Sequence, residues 1–241
     1  MAEAAPASKK SDLGVRTVSA IIMLAVAGTA LWLGGQWFVA FVALIGLGLL
    51  WEFWGLVRRF EHNMSSRLLW LMGGVFYIGA ACAGLILMPG PMRLLTILIV
   101  IAIDTGAYFS GRRFGGKKIA PSISPSKTWA GLYGGIVGAS LILMATWLLI
   151  LSAISAFGSK PQTFPGIIVQ HPLAILGIVI AGAVLAIVAQ AGDFFESWMK
   201  RRAGVKDSGA LIPGHGGVFD RVDGLMPIAI IFGALSQVNL S

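Results

Sequence analysis

The chain has almost nothing with which to build a disulfide or a soft-metal site. Cys82 is its only cysteine, which excludes an intrachain disulfide and any cysteine-based metal centre. It lies in the apolar run FYIGAACAGLILM, where it reads as a small buried hydrophobe. Histidine is nearly as scarce: His62, His171 and His215 form no pair in the sequence. Charge is scarce too. Only 12% of residues are charged, against about 25% in soluble domains. There is neither an internal repeat nor a pair of inverted halves, which argues against a transporter.

What remains is apolar. Hydrophobic residues make up 57% of the chain, and the mean hydropathy is +0.85. Runs of the length needed to cross a hydrocarbon core of about 30 Å recur along it. Seven spans are predicted, near 17–34, 36–57, 68–88, 92–110, 130–156, 172–196 and 220–238. The fold class expected is therefore all-α, a polytopic integral membrane helical bundle. The net charge of +8 follows the spans instead of marking a nucleic-acid surface. With this topology 16 of the 18 basic residues fall on one side, and only Arg93 and Lys160 on the other. The positive-inside rule then puts the N-terminus in the cytoplasm and the C-terminus outside.

Residues 1–15 read as a polar, disordered cytoplasmic tail, 16–100 as transmembrane scaffold helices, and 101–241 as the catalytic region. AGTA at 27–30 resembles a signal-peptide cleavage site, but the apolar run continues through Leu31, Trp32 and Leu33, so cleavage is not expected. The lone acid of the scaffold, Glu52 in WEFWGL, reads as an anchor that snorkels or pairs with Arg58 or Arg59 beside the interfacial Trp51 and Trp54.

Chemistry crowds into the cytoplasmic ends of the last four spans. KDSGALIPGHGGVFDRVDG (206–224) places Lys206, Asp207, His215, Asp220, Arg221 and Asp223 around five glycines. Asp220 and Asp223 are spaced i, i+3, and so are Asp193 and Glu196, which on a helix puts each pair on one face. Neighbouring carboxylates at a membrane rim need a proton or a cation between them. With no histidine pair or cysteine cluster, a hard, oxygen-seeking ion such as Mg²⁺ fits best. Glycines in GHGG allow backbone N–H groups close to a phosphate, and Lys206 and Arg221 can neutralise its oxygens. His215 is a donor or merely an organiser of the loop.

SISPSKT supplies Ser124, Ser126, Lys127 and Thr128 just ahead of a helix N-terminus, a natural phosphate site. GRRFGGKK (111–118) is not a Walker A loop, since Lys118 stands where Ser or Thr is required and no strand precedes it. Small residues at Gly131 with Gly135, and Gly134 with Gly138, predict close helix packing.

SWMKRRAGVKDSGALIPGHGGVFDRVD (197–223) resembles the signature segment of the phosphatidate cytidylyltransferases, also called CDP-diacylglycerol synthases. DTGAY (104–108), GRRFG (111–115), SPSKT (124–128) and GDFFES (192–197) resemble family segments in the same order. The resemblance covers residues 100–241 well and the first hundred only in hydropathy.

It implies CMP transfer from CTP to phosphatidic acid, giving CDP-diacylglycerol and pyrophosphate. It further implies that Asp193, Asp220 and Asp223 ligate Mg²⁺, with K⁺ the candidate for a second cation. Lys206 and Arg221 join these acids as expected catalytic residues. The expected substrate-binding set is Ser124, Ser126, Lys127, Thr128, Lys200, Arg201, His215, Gly216 and Gly217. Partners implied are CTP, phosphatidic acid and the bilayer, with a homodimer allowed and no nucleic acid. The membrane implied is the inner, cytoplasmic one, with the site facing the cytoplasm. One departure stands out: where many members carry Glu or Gln after the Trp of the SPxKTW segment, this chain has Ala130, which is left out of the expected site.

The nearest rival is a CTP-dependent polyprenol or phytol kinase, in which the acceptor is an alcohol and Asp104 becomes a base candidate. A CDP-alcohol phosphotransferase lacks its D-G-x2-A-R segment here. A channel or transporter would place acids at mid-span, and a non-catalytic scaffold leaves the charged loop unexplained.

Overall fold

The structure, a computed structural model, describes residues 9–156 and 171–238. Residues 1–8 of the expected tail, and Lys160, lie outside the described residues. Among the described residues six helices are long and apolar enough to cross a membrane. Helices satisfy their own backbone polar groups, which lipid cannot do. The protein is a polytopic helical membrane protein, and its helices fall into two compact units. The first runs to Ile86 and takes in Met199–Val222; the second is Leu87–Trp198 with the chain from Asp223 onward. The compact units divide at 86–87, and residues 199–222 of the signature segment group with the N-terminal helices.

In the first unit, α1 (Lys9–Leu33) begins ahead of the expected start at 17, so residues 9–15 of the expected tail are helical. Gly34 and Gly35, at φ 61° and 47°, make the turn into α2 (Gly35–Phe60), a conformation that costs glycine little. Helix α3 (Met64–Leu87) also starts early, because Asn63 Oδ1 accepts the Ser65 N–H at 2.9 Å and caps it. Cys82 packs beside Phe38 and Val42, and a Cβ on Gly46 would lie 3.0 Å from its Sγ. It acts as the small hydrophobe its context predicts.

The second unit contains α4 (Gly90–Phe114), strands β1 (Lys118–Ala120) and β2 (Ser124–Thr128), α5 (Trp129–Ala156) and most of α6 (Pro172–Arg202). The strands pair antiparallel, Lys118 with Thr128 and Ala120 with Ser124. This short hairpin is an addition to an otherwise all-α fold. Gly115 (φ 59°) and Gly116 (φ 88°) end α4 and turn the chain into β1. Helices α4 and α5 pack backbone to backbone: a Cβ on Gly106, Gly134 or Gly138 would fall on a carbonyl oxygen of the facing helix. That is the small-residue packing the sequence predicts.

At 31 residues, α6 is about 46 Å long at 1.5 Å per residue, well beyond the hydrocarbon thickness. Its last turn carries Lys200, Arg201 and Arg202, favourable against the helix dipole. The chain leaves it through Gly204 (φ 67°), with Val205 N–H on Lys200 O and Gly204 N–H on Arg201 O, a Schellman ending. The seventh expected span is broken. A single turn, α7 (Phe219–Val222), ends before Asp223, and α8 (Leu225–Val238) follows with 14 residues. That is shorter than the roughly 20 needed to cross a bilayer.

Candidate active site

In the second unit, the hairpin exists to aim one side chain. Thr128, buried at the end of β2, accepts the Gly131 N–H at 3.0 Å and caps α5. Ser124 is buried in the same strand, while Ser126 is exposed. Between Ser126 and Thr128, Lys127 projects its ammonium onto Asp193 Oδ2 of α6. Asp223 lies close enough to Asp193 for the Asp193 charge to act on its carboxyl. Asp223 Oδ1 also accepts the Gly224 N–H at 2.9 Å. From α4, Asp104 lies within electrostatic reach of Asp193 and Lys127.

Glycine makes the approach feasible. A Cβ on Gly192 would fall on the Asp223 carbonyl oxygen, and one on Gly224 would lie 3.2 Å from Asp193 Oδ1. The electrostatics follow. Burial, then the Asp193 charge, push the Asp223 carboxyl above the usual carboxylate range. Burial opposes the charge on Lys127, but Asp193, backed by Asp104 and Asp223, outweighs it and raises the ammonium's pKa.

In the first unit, the signature loop folds around Asp220. Its Oδ1 accepts from Lys200 Nζ at 2.6 Å. Its Oδ2 accepts from Ser208 N–H, Ser208 Oγ–H and Gly217 N–H, each at 2.9 Å. Gly217 N–H therefore serves Asp220 in this structure, where a phosphate cradle was expected. Gly216, at φ 84°, has its carbonyl on the Ile212 N–H at 2.9 Å. Arg221 is exposed and donates to the His215 carbonyl at 2.6 Å. Lys206 and Arg201 are exposed. His215 Nδ1 is buried without a hydrogen-bond partner among the described residues.

One expectation changes. Asp220 and Asp223 do not share one helix face, because α7 ends between them and each belongs to a different unit. Glu196 is buried at 1% exposure, whereas its i, i+3 partner Asp193 is half-buried. Among the described residues no three His, Cys, Asp or Glu side chains gather to hold a metal ion. The donor chemistry still suits one: Asp193 and Asp223 are neighbouring hard oxygen ligands, and the Lys127 ammonium offsets part of their charge.

From the sequence, Glu52 reads as an anchor with Arg58 or Arg59 as partner. Its hydrogen bonds go to Ser208, Val218 and Phe219 of the signature loop, not to Arg58 or Arg59. A lone acid inside an apolar span was the available signal.

Comparison with known proteins agrees with this picture. The family model described as "Cytidylyltransferase family" matches residues 87–238. A protein of Brucella suis biovar 1, named phosphatidate cytidylyltransferase, is 33% identical over 93% of this chain and 94% of its own length. Relatives of the same name from Rickettsia typhi and Rickettsia bellii are 33% and 34% identical. They cover 94% and 96% of this chain, and 92% and 94% of their own lengths. On this match and these identities the chain belongs to the cytidylyltransferase family, alongside the phosphatidate cytidylyltransferases.

Proposed function

We propose that this chain is a phosphatidate cytidylyltransferase, converting CTP and phosphatidic acid to CDP-diacylglycerol and pyrophosphate. The observation that carries the reading is the Lys127–Asp193 pair with Asp223 beside it, where a protein otherwise built of apolar helices concentrates charge.

The lipid phosphate is already an anionic nucleophile, so no strong base is required. One of its oxygens attacks the α-phosphorus of CTP in line. As that P–O bond forms, the α–β bridging P–O bond breaks, and pyrophosphate leaves with the electron pair. Catalysis then rests on positioning and charge neutralisation. Lys127 can exchange its carboxylate partner for a phosphate oxygen, and Lys206 and Arg221, both exposed, can screen further anionic charge.

Asp193 and Asp223 would hold Mg²⁺, and the family resemblance adds Asp220. When bound, the ion would neutralise triphosphate oxygens. K⁺ is the candidate for a second cation. The chain would lie in the bacterial cytoplasmic membrane with these groups toward the cytoplasm, a reading supported by the one-sided basic residues and by bacterial relatives. A homodimer belongs to this reading as well, and light scattering of the detergent-purified protein decides it.

The test is release of pyrophosphate by the purified chain in detergent with Mg²⁺. Release is expected only when CTP and phosphatidic acid are both present. Transfer of labelled γ-phosphate to polyprenol, with none of CMP to phosphatidic acid, would replace this function by the kinase.

A further inference from the structure

Glu52 is carried by α2, in the part of the chain that precedes the family match at 87–238. Its side chain is buried at 3% exposure, on a helix that could cross the membrane. A buried carboxylate is costly unless its oxygens are hydrogen-bonded. Here both are. Oε1 accepts the Val218 N–H at 3.0 Å; Oε2 accepts the Phe219 N–H at 2.8 Å and the Ser208 hydroxyl at 3.0 Å.

The Ser208 hydroxyl also lies 2.9 Å from Asp220 Oδ2. The Ser208 Oγ therefore stands between Glu52 and Asp220, two carboxylates 168 positions apart in the sequence, and its single proton can be given to either. Ser208 N–H and Gly217 N–H close the arrangement on the same Asp220 oxygen. The loop is shaped for this acid: a Cβ on Gly209 or on Gly217 would fall on the Glu52 carboxylate. Next to it, the Phe53 ring packs on Phe219 with centroids 6.4 Å apart. A purely hydrophobic anchor would need none of these donors.

We propose that Glu52 is a positioning residue for cytidylyl transfer: from α2 it fixes Ser208 and the 217–219 backbone, and through them it aims the Asp220 carboxylate. The assignment rests on the reading that Asp220 acts in the reaction. Glu52 itself touches no substrate. A residue that acts through another lowers kcat and kcat/KM together and leaves KM for CTP unchanged. Its effect is also non-additive with the link it works through.

The experiment uses the full chain in detergent, with CTP and phosphatidic acid, and compares Glu52→Gln, Glu52→Asp, Ser208→Ala and the double variant Glu52→Gln/Ser208→Ala, alongside Asp220→Asn. Glu52→Gln replaces one acceptor oxygen by an amide that faces donors, and kcat is expected to fall roughly 10- to 100-fold, as for other residues that orient a ligand. KM for CTP should stay put. Glu52→Asp should restore part of the rate, and the double variant should be no slower than the worse single one. Melting in detergent shows which variants remain folded. Should Glu52→Gln fail to fold, Ser208→Ala carries the test, with a lower kcat at unchanged KM.

Wild-type kcat in Glu52→Gln, or losses that multiply in the double variant, would overturn the proposal while Asp220→Asn stays inactive. An active Asp220→Asn would instead remove the role of Asp220, and this inference with it.

Discussion

Lys127, near the end of β2, forms an ion pair with Asp193 of α6 across 66 residues of sequence. This contact ties the hairpin to the acid pair and sets the first expectation. Lys127→Met removes the ammonium and leaves Asp193 beside Asp223 without its counter-charge. Cytidylyl transfer should fall about 10²-fold or more, the scale for losing a preorganised charge. Pyrophosphate release checks it, with melting in detergent to confirm folding. Near-wild-type turnover would remove Lys127 from the site.

Asp223 makes stability depend on pH. Burial, followed by Asp193, raises its pKa in the fold above an unfolded value of about 3.9. Between those two values the folded chain binds more protons than the unfolded chain, so stability falls as pH rises. The stabilisation is complete below the unfolded value and is lost as pH climbs through the raised one. Without divalent cation, the melting temperature should decline from mildly acidic to alkaline pH. Asp223→Asn should flatten that slope; an unchanged slope would assign the dependence to another group.

Gly192 offers a steric test. Alanine there puts its Cβ on the Asp223 carbonyl oxygen, a backbone atom that cannot swing away. Gly192→Ala should lower both the melting temperature and the activity. Gly177→Ala lies on the same helix with nothing within 4 Å of its would-be Cβ. It should be neutral, or stabilise by up to about 1 kcal/mol through helix propensity. Equal behaviour of the two would remove the close approach as the cause.

Removing the metal should stop the reaction. Chelation is expected to abolish turnover and added Mg²⁺ to restore it, and Asp193→Asn should raise the Mg²⁺ concentration needed for half-maximal rate. Because ligation requires deprotonated carboxylates, Mg²⁺ binding should release protons, which calorimetry in buffers of different ionisation enthalpy reads directly. Full activity in chelator would end the metal assignment.

Much of this was legible in the residues. Hydropathy and the small-residue pattern from Gly131 to Gly138 need only local composition and periodicity, and the α4–α5 packing follows them. The fixed positions of the signature loop carried the family. The hairpin was less legible: β1 and β2 are three and five residues long and, among the described residues, pair only with each other, too little for a strand pattern to stand out. The break at Asp223 was hidden because an i, i+3 spacing looks helical whether or not the helix continues through it.

By itself, then, the sequence determined a membrane-embedded helical protein and the inventory of its chemistry, because burial in lipid is set by composition and a loop motif by contiguous residues. Only the tertiary structure decided the partners: Lys127 on Asp193, and Lys200 and Ser208 on Asp220. It also turned Glu52 from an anchor into a ligand of the loop. Which donor satisfies a buried carboxylate depends on which helices approach within hydrogen-bond distance, and that is decided by glycines far apart in the chain admitting a neighbour's atoms where a Cβ would stand.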